Sequence, residues 1–230
     1  MKRSRFSVFF VLFLLLCAGC CGANRSPRFR TSLPPLPQPE VAVRVLSKQA
    51  HNLNPEVLKL AVTAYNKARL RGYDEKQVLT VIDYSKPSTE KRFWVFDLKQ
   101  QKLLFNELVA HGRNSGEVKP TSFSNQLNSL KSSIGVFATA ETYSGSHGYS
   151  LRLLGLEPGF NDKAYERALV VHGAWYVNGA QAQTGRLGRS WGCPALNPKV
   201  VKPIIDTISD DTVIFAYYPD KQWLNRSDFL

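Results

Sequence analysis

The last two thirds of the chain consist of short β-rich runs separated by turn-forming residues, and this pattern narrows the choice of fold more than any other feature. The first two runs, VLTVI at 78–82 and FWVF at 93–96, lie on either side of the turn-prone stretch KPSTEK. Further runs lie at 102–110, 135–143, 149–156, 168–171 and 212–218. Many short strands with turns between them indicate a β-sandwich or a β-barrel. We therefore predict a mostly β fold without internal repeats.

Two helices are predicted beside these strands. The stretch 53–72 has Asn54 at the N-cap, Pro55 at the first helical position and Gly72 at the end. Its apolar residues recur at steps of three and four and form one stripe, which consists of Val57, Leu60, Ala61, Ala64 and Ala68. A second, shorter helix is predicted over 198–208, just before the last strand. The fold class is thus mostly β, with a helical N-terminal segment and a short helix near the C-terminus.

The N-terminus predicts export. Residues 1–5 are basic, residues 6–16 are almost wholly apolar, and residues 17–23 are small residues and cysteines. This is the layout of a secretory signal, and the apolar run is shorter than the roughly 20 residues that a membrane span needs. We predict a signal over 1–23 and a location in the periplasm or the cell envelope.

Two cleavage sites are consistent with this signal. Ala18-Gly19-Cys20 resembles a bacterial lipobox, in which Cys20 would become the lipidated first residue and anchor the protein to a membrane. Cys17 stands where a lipobox usually has leucine. The alternative is ordinary cleavage after Ala23, which leaves no lipid anchor.

The rest of the chain divides by composition. A semi-extended linker is predicted over 24–40, because NRSPRFRTSLPPLPQP holds five prolines and three arginines with little to bury. A helical cap segment over 41–76, a catalytic-size domain over 77–220 and a C-terminal tail over 221–230 follow.

The formal net charge of the chain is +12, and about +9 remains once the predicted signal is removed. Such an excess of positive charge favours anionic partners. An exported protein rarely meets nucleic acid, so we predict no nucleic-acid partner. A membrane surface or an acidic cell-wall polymer fits better, while a plain solvated basic surface would carry the same charge.

Cys193 lies in the stretch GRSWGCPAL and is the only one of the four cysteines beyond position 21. One unpaired cysteine in an exported domain indicates either an intermolecular disulfide or a reactive thiol. The thiolate is the nucleophilic form. Gly192 leaves room for the N–H groups of residues 192 and 193 to face a developing oxyanion, and the Ser190 hydroxyl would orient the site. The alternative is an inert thiol in a packed turn.

Three of the four histidines, His111, His147 and His172, precede a glycine. His172 follows the apolar run at 168–171, so a strand would deliver its imidazole to the end of a sheet. Cys193 comes 21 residues later, after a glycine-containing loop that can return the thiol to hydrogen-bond distance of the ring. Such a histidine makes the thiolate available and later protonates a leaving amine. The alternative for each histidine is a structural turn.

Other chemistries fit less well. Zinc needs three or four ligands at recognisable spacing, and no HxxxH, HxH or CxxC pattern follows the predicted signal. We therefore predict no metal site. Papain-like hydrolases have the cysteine before the histidine. Sortases have the order found here but use an arginine downstream of the cysteine, where this chain has only Arg226.

These residues resemble the L,D-transpeptidase catalytic domain of the YkuD type. Its hallmark is a His-Gly pair followed within about two dozen residues by Ser-X-Gly-Cys, here His172-Gly173 and Ser190-Trp191-Gly192-Cys193. The segment SSIGVF at 132–137 is similar to a turn between two strands of the family, with isoleucine in the usual threonine place. The resemblance extends over about 78–218 and is closest to a branch with a GRSWGCPA-like motif.

The resemblance implies a mostly β fold and cell-wall chemistry that needs no metal or organic cofactor. Cys193 would form a thioester with a peptidoglycan tetrapeptide stem and release its terminal D-alanine, and an amine of a second stem would then form the cross-link. Donor and acceptor stem peptides are the implied partners. His172 would be the general base and acid, with the Gly173 carbonyl as its orienting partner.

Two positions depart from the commoner motif. Trp191 stands where histidine is usual, and Ala195 stands where arginine or asparagine is usual. A substrate carboxylate would therefore need another partner. The residues assigned to substrate binding are Arg186, Arg189, Trp191 and His147.

Three functions stay open at this point. The favoured one is an exported peptidoglycan L,D-transpeptidase. An L,D-carboxypeptidase would use the same nucleophile but resolve the acyl-enzyme with water. A non-catalytic cell-wall-binding lipoprotein would use only the basic surface.

Overall fold

The computed structural model of the chain describes residues 38–230. The predicted signal, both cleavage sites, Cys20 and most of the predicted linker lie outside the described residues. Among residues 38–230, no helix combines the length and the apolar character needed to cross a membrane.

Eight strands form one sheet. They are β1 Val78–Asp83, β2 Phe93–Asp97, β3 Lys102–Glu107, β4 Gly135–Gly145, β5 Gly148–Gly155, β6 Val170–Gly173, β7 Ala195–Leu196 and β8 Val213–Tyr217. Their order across the sheet is β3-β2-β1-β8-β4-β5-β6-β7. The pairs β1–β8 and β6–β7 are parallel, and the other neighbours are antiparallel.

The two ends of this sheet come together. The chain that leaves β3 passes beside β7, where the Ala110 N–H donates to the Ala195 carbonyl at 2.9 Å. A further bridge joins Gly112 to Ser190. These contacts bend the sheet into a near-barrel, and the predicted mostly β, barrel-like fold is confirmed.

Five helices accompany the sheet. They are α1 Pro39–Ser47, α2 Pro55–Leu70, α3 Gly179–Gln183, α4 Pro198–Ile208 and α5 Lys221–Arg226. The predicted ends of α2 are present: the Asn54 side chain accepts the Glu56 N–H at 2.9 Å, and Gly72 adopts a φ of +88° just after the helix. Helix α1 begins inside the stretch that we expected to be linker.

The N-terminal helices share one hydrophobic core with the sheet. Leu46 of α1 and Leu58 and Tyr65 of α2 are fully buried in the same cluster as Leu79 and Phe215 of the central strands. The helical segment that we predicted to precede the domain therefore packs as part of it.

The C-terminal segment is also part of the fold. Residues 221–230, predicted as a tail, form α5 and bury Trp223 completely. The buried carboxylate of Glu157 accepts the Trp223 indole N–H at 3.0 Å and the Val136 N–H at 2.6 Å. One carboxylate thus connects α5 to the start of β4.

Candidate active site

The parallel pairing of β6 with β7 brings the two predicted catalytic residues to neighbouring segments. His172 in β6 lies opposite Ala195 in β7. Cys193 precedes Ala195 by two residues, and a strand rises about 3.3 Å per residue. Cys193 and His172 therefore lie on neighbouring segments, separated by about two residues along the strand direction.

The Cys193 thiol is turned toward the residues that precede β6. It donates to the Ala168 carbonyl at 3.7 Å, and among the described residues it has no hydrogen bond to the His172 ring. The expected thiol–imidazole hydrogen bond is therefore absent from this arrangement. Burial raises the pKa of the Cys193 thiol, while the Val170 N–H and the charge of Arg167 lower it.

His172 is held in one tautomer by its own strand. The ring is buried, with 3% of its surface exposed, and Nδ1 lies 3.0 Å from the Gly173 carbonyl oxygen. Because a carbonyl only accepts, Nδ1 carries the proton and Nε2 is free to take one. Burial lowers the pKa of His172, the bond to Gly173 opposes this, and His147 lowers it further. His172 is therefore a neutral base at neutral pH.

His147 lies directly on this ring. It is exposed at the tip of the β4–β5 hairpin, and its ring stacks on that of His172 with 4.5 Å between centroids and 30° between planes. The structure thus brings together His147, which we assigned to substrate binding, and the predicted catalytic imidazole.

The Ser190 hydroxyl stabilises the loop that carries the thiol. It donates to the Cys193 carbonyl at 2.6 Å and accepts the Gly192 N–H at 3.1 Å. We predicted that the N–H groups of residues 192 and 193 would both face an oxyanion. Because the Gly192 N–H already donates to Ser190, only the Cys193 N–H of this pair is left to donate to an oxyanion.

Ser132 determines where this remaining donor points. The buried Ser132 hydroxyl donates to the Gly192 carbonyl at 3.0 Å and accepts the Gly112 N–H at 2.9 Å. In a planar trans peptide, the carbonyl and the following N–H point in opposite directions. Because Ser132 holds the Gly192 carbonyl on the interior side, the Cys193 N–H faces away from it.

Backbone conformation and close packing require glycine at position 192, independently of any room for an oxyanion. Its φ is +128°, and a Cβ added there would lie 2.8 Å from the Lys131 carbonyl oxygen and 3.0 Å from Leu169 Cδ2. Any side chain at position 192 would push the cysteine loop off the backbone beneath it.

The two arginines that we expected to hold a substrate carboxylate are paired within the protein. Arg189 donates to Glu117 at 2.6 Å and to the Arg113 carbonyl at 2.9 Å, and Arg186 lies 3.7 Å from the same Glu117. Both guanidinium groups therefore have a carboxylate partner already.

Two exposed tryptophans lie on the chain near the thiol and the imidazole. Trp191, two residues before Cys193, is 72% exposed, and Trp175, three residues after His172, is 78% exposed. Trp175 also lines an open groove with residues from the N-termini of α3 and α4, among them Asn178, Asn197 and Lys199. Trp175 was not among the predicted site residues, although it lies only three residues after His172.

His111 has a structural role. It is fully buried, its Nδ1 lies 2.8 Å from Arg92 Nη2, and its Nε2 lies 3.1 Å from the Gly116 carbonyl oxygen. Its backbone carbonyl accepts the Ser190 N–H at 2.9 Å. His111 thus supports the cysteine loop from behind.

His111 is expected to make the fold sensitive to acid. Burial and the charge of Arg92 lower the pKa of His111 from 6.5 to about 4. The unfolded chain takes up this proton first as the pH falls, so stability is lost between pH 6.5 and about 4. We expect the unfolding free energy in urea to fall by about 2 kcal/mol more between pH 7 and pH 5 in the wild type than in His111→Gln. Equal pH slopes in the two proteins would contradict this.

No group of three or more His, Cys, Asp or Glu side chains in residues 38–230 is arranged to hold a metal ion. The candidate site is built from the Cys193 thiol, the His172 imidazole and the backbone around them.

The family model for the L,D-transpeptidase catalytic domain matches residues 49–217. Among solved structures, an L,D-transpeptidase from Mycobacterium smegmatis is 16% identical, with 62% of this chain and 59% of that chain covered and a TM-score of 0.40. An L,D-transpeptidase from Stackebrandtia nassauensis is 12% identical, with 78% and 77% covered and a TM-score of 0.37.

A third similar structure is L,D-transpeptidase 3 from Mycobacterium tuberculosis in complex with a faropenem-derived adduct. It is 14% identical, with 62% of this chain and 60% of that chain covered and a TM-score of 0.40. The chain thus spans less than two thirds of both mycobacterial structures. Among curated proteins, none matches.

Proposed function

The chain belongs to the L,D-transpeptidase catalytic-domain family, and on that basis we propose that it is an exported peptidoglycan L,D-transpeptidase with Cys193 as its nucleophile. The observation that supports this most is the β6–β7 pairing, which brings His172, with Nε2 free to accept a proton, to the loop that carries the only cysteine among the described residues. Export and a lipid anchor through Cys20 remain predictions from the sequence.

The first half of the proposed reaction forms a thioester. His172 Nε2 takes the thiol proton, and the Cys193 sulfur attacks the carbonyl carbon of the L,D peptide bond of a tetrapeptide stem. The Cys193 N–H hydrogen-bonds to the oxygen as it gains negative charge. The C–N bond then breaks, His172 returns the proton to the leaving nitrogen, and D-alanine departs.

The second half transfers the acyl group. An amine of a second stem attacks the thioester carbonyl and gives a proton to His172, the C–S bond breaks, and the thiolate is protonated again. The sulfur must first leave the Ala168 carbonyl and turn toward His172. We expect a change of the Cys193 side-chain rotamer to bring the sulfur toward His172.

The proposal is tested by incubating the purified protein with tetrapeptide muropeptides and separating the products. Cross-linked dimers are expected from a transpeptidase. Tripeptide stems without dimers would assign the protein as an L,D-carboxypeptidase, in which water resolves the same thioester. Unchanged muropeptides would contradict both enzymes and favour a non-catalytic cell-wall-binding protein.

Ser132→Ala is expected to slow catalysis through the direction of the Cys193 N–H. Without its hydroxyl, the Gly192 carbonyl is released and the peptide that it shares with Cys193 can rotate. We expect kcat to fall by about 10- to 100-fold with little change in KM for the donor stem. Ser47→Ala in α1 is the matched control, because the buried Ser47 hydroxyl has no hydrogen-bond partner. A rise in KM at constant kcat would instead assign Ser132 to substrate binding.

A further inference from the structure

Arg167 is a cation held by neutral groups alone. It precedes β6, and its guanidinium is half-buried. Four oxygens accept its N–H groups: the Ser124 carbonyl at 2.5 Å, the Ser133 hydroxyl at 2.6 Å, the Lys131 carbonyl at 2.6 Å and the Ser129 hydroxyl at 3.0 Å. Within residues 38–230 it forms no ion pair with a carboxylate.

This guanidinium lies directly beneath the cysteine loop. Arg167 Nη2 lies 3.5 Å from the position that a Cβ of Gly192 would occupy. The next residue, Ala168, has a φ of +52°. Its carbonyl accepts the hydrogen bond from the Cys193 thiol. Arg167 and Ala168 thus lie next to Gly192 and Cys193, respectively.

The groups around the Arg167 guanidinium determine which anion it would stabilise. A cation withdrawn from water is costly unless a negative charge faces it. Tyr84 and Tyr176, which interact electrostatically with the thiol, do not supply a negative charge at neutral pH, because burial raises the pKa of each to about 12. The thiolate of Cys193 is the anion that this site can form.

We propose that Arg167 is a positioning residue that stabilises the Cys193 thiolate from beneath the cysteine loop. This inference rests on the proposed role of Cys193 as the nucleophile. The sequence motif does not reveal this role, because Arg167 lies 26 residues before the cysteine and approaches the cysteine loop only in the folded chain.

The test is the pH dependence of Cys193 alkylation by iodoacetamide in the substrate-free protein, followed on the Cys193 peptide by mass spectrometry so that Cys20 and Cys21 do not contribute. In Arg167→Gln we expect the alkylation midpoint to rise by about one pH unit, with a rate about tenfold lower at pH 7. Arg167→Lys keeps the charge and is expected to stay close to the wild type. Arg44→Gln, on the exposed face of α1, controls for net charge and is expected to change nothing.

A purely structural role for Arg167 predicts a shift of the alkylation midpoint in the opposite direction. If Arg167 only packed the surrounding loop, its removal would expose the sulfur and relieve the burial that raises the thiol pKa. An unchanged or lower midpoint in a folded Arg167→Gln protein would therefore overturn the proposal.

A second measurement needs no variant, so it stands even if Arg167→Gln does not fold. Beside a positive charge, the wild-type Cys193 is expected to react with anionic iodoacetate faster, relative to iodoacetamide, than free cysteine does. An equal or smaller ratio would overturn the proposal. Neither measurement uses a muropeptide, so a failure of the proposed transpeptidase activity remains distinguishable from a failure of this inference.

Discussion

Cys193→Ala is expected to abolish the formation of cross-linked dimers from tetrapeptide muropeptides. The rate should fall by at least about 10⁴-fold, because the variant has no group that can carry the acyl chain. Cys193 is the only cysteine in residues 38–230, so no neighbouring thiol replaces it. The intact mass of the wild type after incubation with donor stems should include an acyl adduct, and that of the variant should not.

The same variant should fold normally. Replacing the Cys193 thiol removes a weak hydrogen bond of 3.7 Å to the Ala168 carbonyl and the contact with the Val170 N–H, while the hydrogen bonds from Ser190 and Ser132 that hold the loop remain. Thermal unfolding within a few degrees of the wild type is the control. Cross-linking at the wild-type rate by Cys193→Ala would place the nucleophile elsewhere in the chain.

His172→Gln is expected to have the second largest effect and to act on the same step. Loss of the base should slow acylation by about 10²- to 10⁴-fold, measured as the appearance of the acyl adduct over time. The wild-type rate should fall on acidification, as His172 becomes protonated, with a midpoint below the ordinary histidine value of 6.5, because burial lowers this pKa. This acid limb should be missing from the variant.

His147→Gln is the matched control for that profile. His147 lowers the pKa of His172 and stacks on its ring without touching the thiol. Its replacement should therefore move the acid limb to higher pH and leave most of the rate at pH 8. An acylation rate that is unchanged in His172→Gln would remove His172 from the mechanism, whatever His147→Gln does.

The sequence predicted the parts of the fold that depend on local signals. Seven strands were recognisable from β-rich runs between turns, and α2 was recognisable from Asn54, Pro55 and Gly72. Strand β7 was missed because its two residues, Ala195 and Leu196, are too few to show a periodicity. It is nevertheless the strand that places the cysteine loop beside His172.

Only those residues of the candidate site that belong to a short sequence motif could be predicted from the sequence. His172 and Cys193 stand out by their order and by their glycine neighbours. Ser132 and Arg167 act on the loop through hydrogen bonds and contacts that depend on tertiary structure, so no spacing rule points to them. Arg189 was assigned to the substrate because it lies close to Cys193 in the sequence, and its partner Glu117, 72 residues earlier in the chain, could not be recognised from that spacing.

The position of β8 has a consequence for how the protein reaches its active form. Strands β1–β3 and β4–β7 are each built from neighbouring segments, but the two groups are hydrogen-bonded to β8, which lies between them. Residues 213–217 must therefore be available before the sheet is complete, and contacts so distant in sequence form slowly. The sheet cannot be completed until residues 213–217 have joined both groups of strands, so thiol reactivity at Cys193 should mature as a late event in refolding.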